Sequence, residues 1–220
     1  MKLIRDTRLF LGLTFLFLIA SGTLTLTTEK GALVLWFNEQ HNAAYNLLFR
    51  NFSFLGEGIV MAAMVVVLAW RKISDGVLLL TAWLFTGLTC QMLKRLVFPN
   101  QPRPAKYFEN LESFNFVPGV DVANWMSFPS GHTATAFAMF MVLAFVFRKT
   151  WVILALFICA LGVGMSRIYL AQHFLEDVIA GAAIGCILTF AVIFVFQENS
   201  AIRNAAILNR PIIQKKGNAG

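Results

Sequence analysis

Charge is scarce in this chain, and so are the side chains that usually hold metals. Only 13% of its 220 residues are Asp, Glu, Lys or Arg, and it has three histidines and three cysteines. A chain so poor in charge and 58% apolar lies far from the balance of a soluble globular domain, and the bilayer is its expected solvent. Cys90, Cys159 and Cys186 fall inside apolar segments with no CxxC or other metal-type spacing, so they read as small packed hydrophobes. No cluster of His, Cys and carboxylate has ligand spacing, so no metal or other cofactor is expected. Internal repeats, low-complexity tracts and Ser/Gly-rich linkers are also lacking, which makes residues 1–220 one domain.

What is present is long apolar runs. A bilayer-spanning helix needs about 20 mostly apolar residues, and six segments come close: 9–26, 52–70, 76–93, 131–147, 151–168 and 178–196. The expected fold is all-α, a polytopic membrane bundle of about six helices. The first segment has an alternative reading as a signal peptide, because Lys2, Arg5 and Arg8 precede an apolar stretch that ends near Ala20-Ser21-Gly22. Cleavage there would leave the orientation of the other segments unchanged.

The net charge of +7 does not point to nucleic acid, because the basic residues stand in short clusters beside apolar runs, where topology signals lie. Lys2, Arg5 and Arg8, then Arg71-Lys72, Arg148-Lys149, and Arg203, Arg210, Lys215 and Lys216 fall on one side. That side is expected to be cytoplasmic, with both termini, and residues 94–130 and 166–177 then face the periplasm or exterior of an inner membrane. Trp70 and Trp151 at inner ends, and Trp125 and Tyr169 near outer ends, read as an interfacial aromatic belt. Residues 30–50, with Leu33, Trp36, Phe37, Leu47 and Phe49 among polar neighbours, either lie along the outer surface or form an ordinary loop.

Hydrogen-bonding and charged residues at bilayer depth are costly and usually have a purpose. On the outer side they gather in three groups: Lys94–Pro104, Pro129-Ser130-Gly131-His132, and Ser166–Asp177. Two of the three histidines, His132 and His173, fall within them. Ser130 stands where an N-cap would open the fourth helix, and Gly131 lets the backbone approach a ligand, so free N–H groups would point at an anion. His173 and Asp177 are four apart, so on the helix opening the sixth span they would share a face, the carboxylate holding the imidazole N–H. Glu57, near the outer end of the second span, could pair with this basic site or accept a proton; plain interfacial exposure is the preferred reading.

These motifs resemble the type-2 phosphatidic acid phosphatase family, whose relatives include bacterial acid phosphatases, glucose 6-phosphatase and vanadium haloperoxidases. The family's Ser-Arg, five residues, His, three residues, Asp pattern is complete in Ser166, Arg167, His173 and Asp177, and its Pro-Ser-Gly-His in residues 129–132. Its Lys, six residues, Arg-Pro pattern is approximate: Arg103-Pro104 are present, with eight residues between Lys94 and Arg103. The resemblance covers about residues 75–197. It implies a membrane phosphatase that hydrolyses a lipid-linked phosphate or diphosphate monoester, with lipid phosphate and membrane lipids as its partners. By the same resemblance, His173 is the nucleophile that becomes phosphohistidine, Asp177 its orienter, and His132 the general acid. Arg103, Arg167 and Lys94 would neutralise phosphoryl oxygens, with Ser130 and Gly131 completing the anion pocket. Two other classes remain in view: a haloperoxidase holding vanadate in that pocket, and a lipid or ion transporter without chemistry.

Overall fold

A helix that is apolar around its whole circumference has to sit inside a bundle, and Gly131–Phe147 does so: every residue from Ala136 to Phe145 is buried. The computed structural model describes residues 2–200 with 202, 205 and 208, the side chains of 2–6 excepted. Arg203, Arg210, Lys215 and Lys216, assigned above to the cytoplasmic side, lie outside the described residues, as do the Lys2 and Arg5 side chains. In chain order the helices are α1 (Lys2–Thr27), α2 (Ala32–Glu39), α3 (Ala43–Leu55), α4 (Gly58–Arg71), α5 (Ile73–Met92), α6 (Pro104–Tyr107), α7 (Gly131–Phe147), α8 (Thr150–Tyr169) and α9 (Leu175–Glu198). A π turn, Leu93–Val97, prolongs α5. No strand occurs among the described residues.

All six apolar segments are helical. Four described helices are long and apolar enough to cross a bilayer alone: α1, α5 with its π turn, α8 and α9. The second expected span corrects to a bent one, because α3 and α4 meet at 52° and only together have the length. Gly56 closes α3 there, and a Cβ on it would lie 2.8 Å from Val163 Cγ1 and 3.3 Å from His132 Cβ. The corner is thus seated against α7 and α8, an approach only glycine permits. Central α7, at 17 residues, is the sixth apolar helix and packs against α1, α5, α8 and α9.

Within residues 30–50, Ala32–Glu39 and the first turns of α3 are helical, with a short connection between them. Val34 and Phe37 turn inward while Trp36, Leu47 and Leu48 are exposed, as in a helix lying along an interface. Their packing removes Tyr169 from the aromatic belt. It is 1% exposed, its ring stacks on Phe49 and meets Phe37 edge-on, and its hydroxyl donates to Asn46 Oδ1 at 2.6 Å. Trp70, Trp125 and Trp151 are exposed as expected. Cys90 and Cys186 are buried, Cys159 half-buried, and none is in a disulfide.

The contact that matters most for the site is between α7 and α9. Gly181 and Gly185 lie one turn apart, and a Cβ on them would collide with Ser130 O and Ala134 O respectively. Small residues four apart let helix backbones touch, and here they bring Ser130 close enough for its N–H to reach Asp177 O at 2.9 Å. The basic cluster meets at this end of the bundle. At the opposite end Lys72, Asp75, Arg148 and Glu198 surround a separate cleft.

Candidate active site

All three polar groups converge. At the end of α5, Lys94 is 8% exposed, and its ammonium donates to Met126 O at 2.6 Å and Ser127 O at 3.2 Å. A π turn holds one residue more than an α turn, and such turns recur at functional sites. The π turn and the loop after it take up the longer spacing to Arg103 and bring Lys94 into the cluster. Arg103 precedes α6, whose Pro104 occupies the first helical position, where a missing N–H costs nothing. Its Nε donates to Trp125 O at 3.1 Å, and its Nη1 donates to Gln172 Oε1 at 3.0 Å and Gln172 O at 3.3 Å. Burial lowers the Arg103 pKa from its ordinary value while nearby Asp177 raises it; a guanidinium remains charged through such shifts.

Ser130 is the N-cap of α7, its hydroxyl accepting from Thr133 N at 3.4 Å and Thr133 Oγ1 at 2.8 Å. A Cβ on Gly131 would meet nothing within 4 Å, so the first turn of α7 keeps open space beside its backbone. Arg167, in the last turn of α8, donates through Nη1 to Ser53 Oγ, while its buried Nε has no partner. An unpartnered guanidinium N–H in a buried position is a donor held ready for an anion.

His173 corrects one expectation: it precedes α9 rather than sharing a helical face with Asp177. The chain leaves α8 through Ala171 at φ 54°, with Ala171 N bonded to Ile168 O and Gln172 N to Arg167 O, the pairing of a Schellman cap. That turn delivers Gln172 and His173, and α9 then starts with Asp177 as its third residue. Asp177 Oδ2 accepts from Phe174 N at 2.9 Å and Ser127 Oγ at 2.5 Å, with His173 Nδ1 at 3.3 Å. A carboxylate only accepts, so it selects the tautomer with the proton on Nδ1 and leaves Nε2 with a free lone pair. His173 is 1% exposed. Burial holds its pKa well below the usual 6.5, and Arg103, Lys94, Arg167 and His132 push it further the same way. The ring is neutral at neutral pH.

The preferred reading of Glu57 is also corrected. Its carboxylate is half-exposed yet paired, with Oε1 3.1 Å from His132 Nε2. The α3–α4 corner places it there. Arg50, Ser53, Glu57, Asp121, His132, Arg167 and Gln172 line an open cleft of about 310 Å³. His173 is not part of this lining, but Gln172, next to it in the chain, is.

All eight residues singled out from the sequence lie in or beside this cluster. Ser53, Ser127 and Gln172 went unmarked. Ser127 and Gln172 fall inside or beside the motif groups, so neighbourhood was their signal. Ser53 lies in the N-terminal third, where hydropathy was the only pattern.

The PAP2 superfamily model matches residues 75–201. Lipid A 1-phosphatase of Rhizobium etli is 38% identical over 110 residues, which are 50% of this chain and 45% of that one. The chain thus spans about half the length of that relative. Phosphatidylglycerophosphatase B of Bacillus subtilis is 29% identical over 171 residues, 71% of this chain and 74% of that one. The crystal structure of Aquifex aeolicus LpxE superposes with a TM-score of 0.65 at 31% identity, covering 74% of this chain and 93% of that one.

Proposed function

The chain belongs to the PAP2 superfamily, and from that premise we propose that it is a membrane phosphatase cleaving the phosphate monoester of a lipid through a phosphohistidine on His173. The observation that carries this is the buried, neutral His173, its Nδ1 on Asp177 and its free Nε2 in the field of Arg103, Lys94 and Arg167. Nε2 attacks phosphorus, and the P–N bond forms as the bond to the leaving oxygen breaks. The neighbouring guanidiniums take the charge that spreads over the phosphoryl oxygens. His132 gives its proton to the departing alkoxide, and water then cleaves the P–N bond as the ring recovers a proton. Relatives named for lipid A and for phosphatidylglycerophosphate support an amphiphilic phosphate as substrate, and a site at the end of a membrane bundle suits one.

Inorganic phosphate released from a panel of lipid phosphates by the purified chain tests this reading. Activity is expected to persist in chelator and to fall with vanadate, which mimics five-coordinate phosphorus, because side-chain cations supply the positive field. Loss in chelator with recovery on adding a divalent metal would refute that account of the charge.

The Lys/Arg bias supports placing this end of the bundle outside the cytoplasm. A single cysteine at exposed Asn110, in a chain otherwise free of cysteine, is expected to react with an impermeant reagent in intact cells. Labelling only after the inner face is opened would reverse the orientation.

A further inference from the structure

Glu57 belongs to no motif and lies outside the matched residues 75–201, yet the fold goes to some length to place it. The second span breaks at Gly56, the corner packs on the first turn of α7, and Thr135 Oγ1, whose hydroxyl has Gly131 O of its own helix as acceptor at 3.0 Å, lies 3.5 Å from Gly56 O. Glu57 is the N-cap of α4, but its side chain makes no capping bond. It turns instead to His132 Nε2 at 3.1 Å, and both side chains line the cleft.

His132 has a difficulty that this contact answers. To protonate an alkoxide it must carry a positive charge at the moment of cleavage, yet the charged groups around it are mostly cationic. Burial works against that charge most, Arg167 from α8 and Arg103 from the loop before α6 add to it, Arg50 of α3 lines the same cleft, and His173 is neutral. The two carboxylates in that lining are Asp121 and Glu57, and Glu57 is the one bonded to His132.

We propose that Glu57 is the positioning residue of the general acid: its carboxylate accepts the Nε2–H of His132 in the resting site, favours the imidazolium and holds the ring in the cleft, where the leaving oxygen takes the place of Glu57 Oε1 as acceptor of that proton. The inference rests on the phosphatase reading above. In the first half-reaction the P–O bond breaks, the proton moves from His132 to the alcohol oxygen, and the ring becomes neutral. In the second, water attacks the phosphohistidine and its proton returns to His132, with Glu57 beside it to stabilise the restored charge.

The test compares Glu57→Gln, His132→Ala and the double variant of the full chain on a short-chain phosphatidate and on p-nitrophenyl phosphate, across pH. Glutamine keeps the shape and hydrogen-bonding reach of Glu57 and removes only its charge. The expected result for Glu57→Gln is a loss of kcat/KM at least about tenfold larger on the alkyl ester than on the nitrophenyl ester. Its alkaline limb should move about one pH unit downward, as loss of an opposite charge at this distance implies. The double variant should match His132→Ala within about twofold, because groups acting as one unit do not add. Equal losses on both esters with an unmoved alkaline limb, or additive losses in the double variant, would overturn the proposal while leaving the phosphatase reading intact. No phosphate release by the wild-type chain from either ester would overturn both.

Discussion

His173→Ala is expected to abolish phosphate release from every ester, good or poor leaving group alike. Without Nε2 there is no acceptor for phosphorus, and removing a covalent nucleophile costs on the order of 10⁵–10⁶ in kcat. Acid-labile phosphate should be trapped on the wild-type chain and be absent from this variant. The pH profile carries a second expectation. The His173 pKa lies well below 6.5 because the ring is buried among Arg103, Lys94, Arg167 and His132. A group that loses its proton at lower pH is already a free nucleophile at pH 6.5, so the limb of kcat/KM attributable to His173 should appear well on the acid side of that value. Labelled phosphate mapping to another residue, or turnover surviving in a folded His173→Ala, would remove the proposed chemistry altogether.

The second large effect is selective. His132→Ala should lower kcat/KM by about 10²–10⁴ on an aliphatic phosphate ester, whose alkoxide is strongly basic, and by much less on a nitrophenyl ester, whose leaving group is already stabilised. The measured quantity is the ratio between matched esters, with folding of each variant verified first. The Ala substitution empties little of the core, since the His132 side chain faces the cleft with 30% of its surface exposed. A rescue by the good leaving group that appeared in His173→Ala instead would exchange the two roles.

The cluster has distinct layers of support. Asp177 Oδ2 is held by Phe174 N and by Ser127 Oγ as well as facing His173, so the orienting carboxylate is itself fixed. Arg103 is pinned by Trp125 and Gln172, and Gln172 in turn donates through Nε2 to Asp121 O at 2.8 Å. Lys94 is different in kind. Its ammonium is engaged by two carbonyls of the loop that carries Ser127, so it joins the end of α5 to the backbone just ahead of the α7 N-terminus while adding its charge to the field at His173.

The sequence alone determined the solvent and the family. A chain this apolar can satisfy its backbone within a bilayer by forming helices, and all six apolar runs are helical for that reason. Ser130 capping α7, and the meeting of Arg167, His173 and Asp177, were legible because a cap and a turn between two helices are set by residues a few positions apart. Long-range contacts were not legible. Ser53 reaches Arg167 across 114 residues and Glu57 reaches His132 across 75, the second at a 52° bend whose purpose is visible only when Gly56 is seen against Val163 and His132. The same holds for Tyr169, which reads as an interfacial aromatic until α2 and α3 fold over it. His173 leaves the helix because Ala171 adopts a left-handed turn, a conformation that four-residue spacing does not signal. Periodicity reports what one helix offers to its surroundings; which partner meets it is decided by close packing between helices, and here by the glycines at 56, 181 and 185 that let their backbones approach.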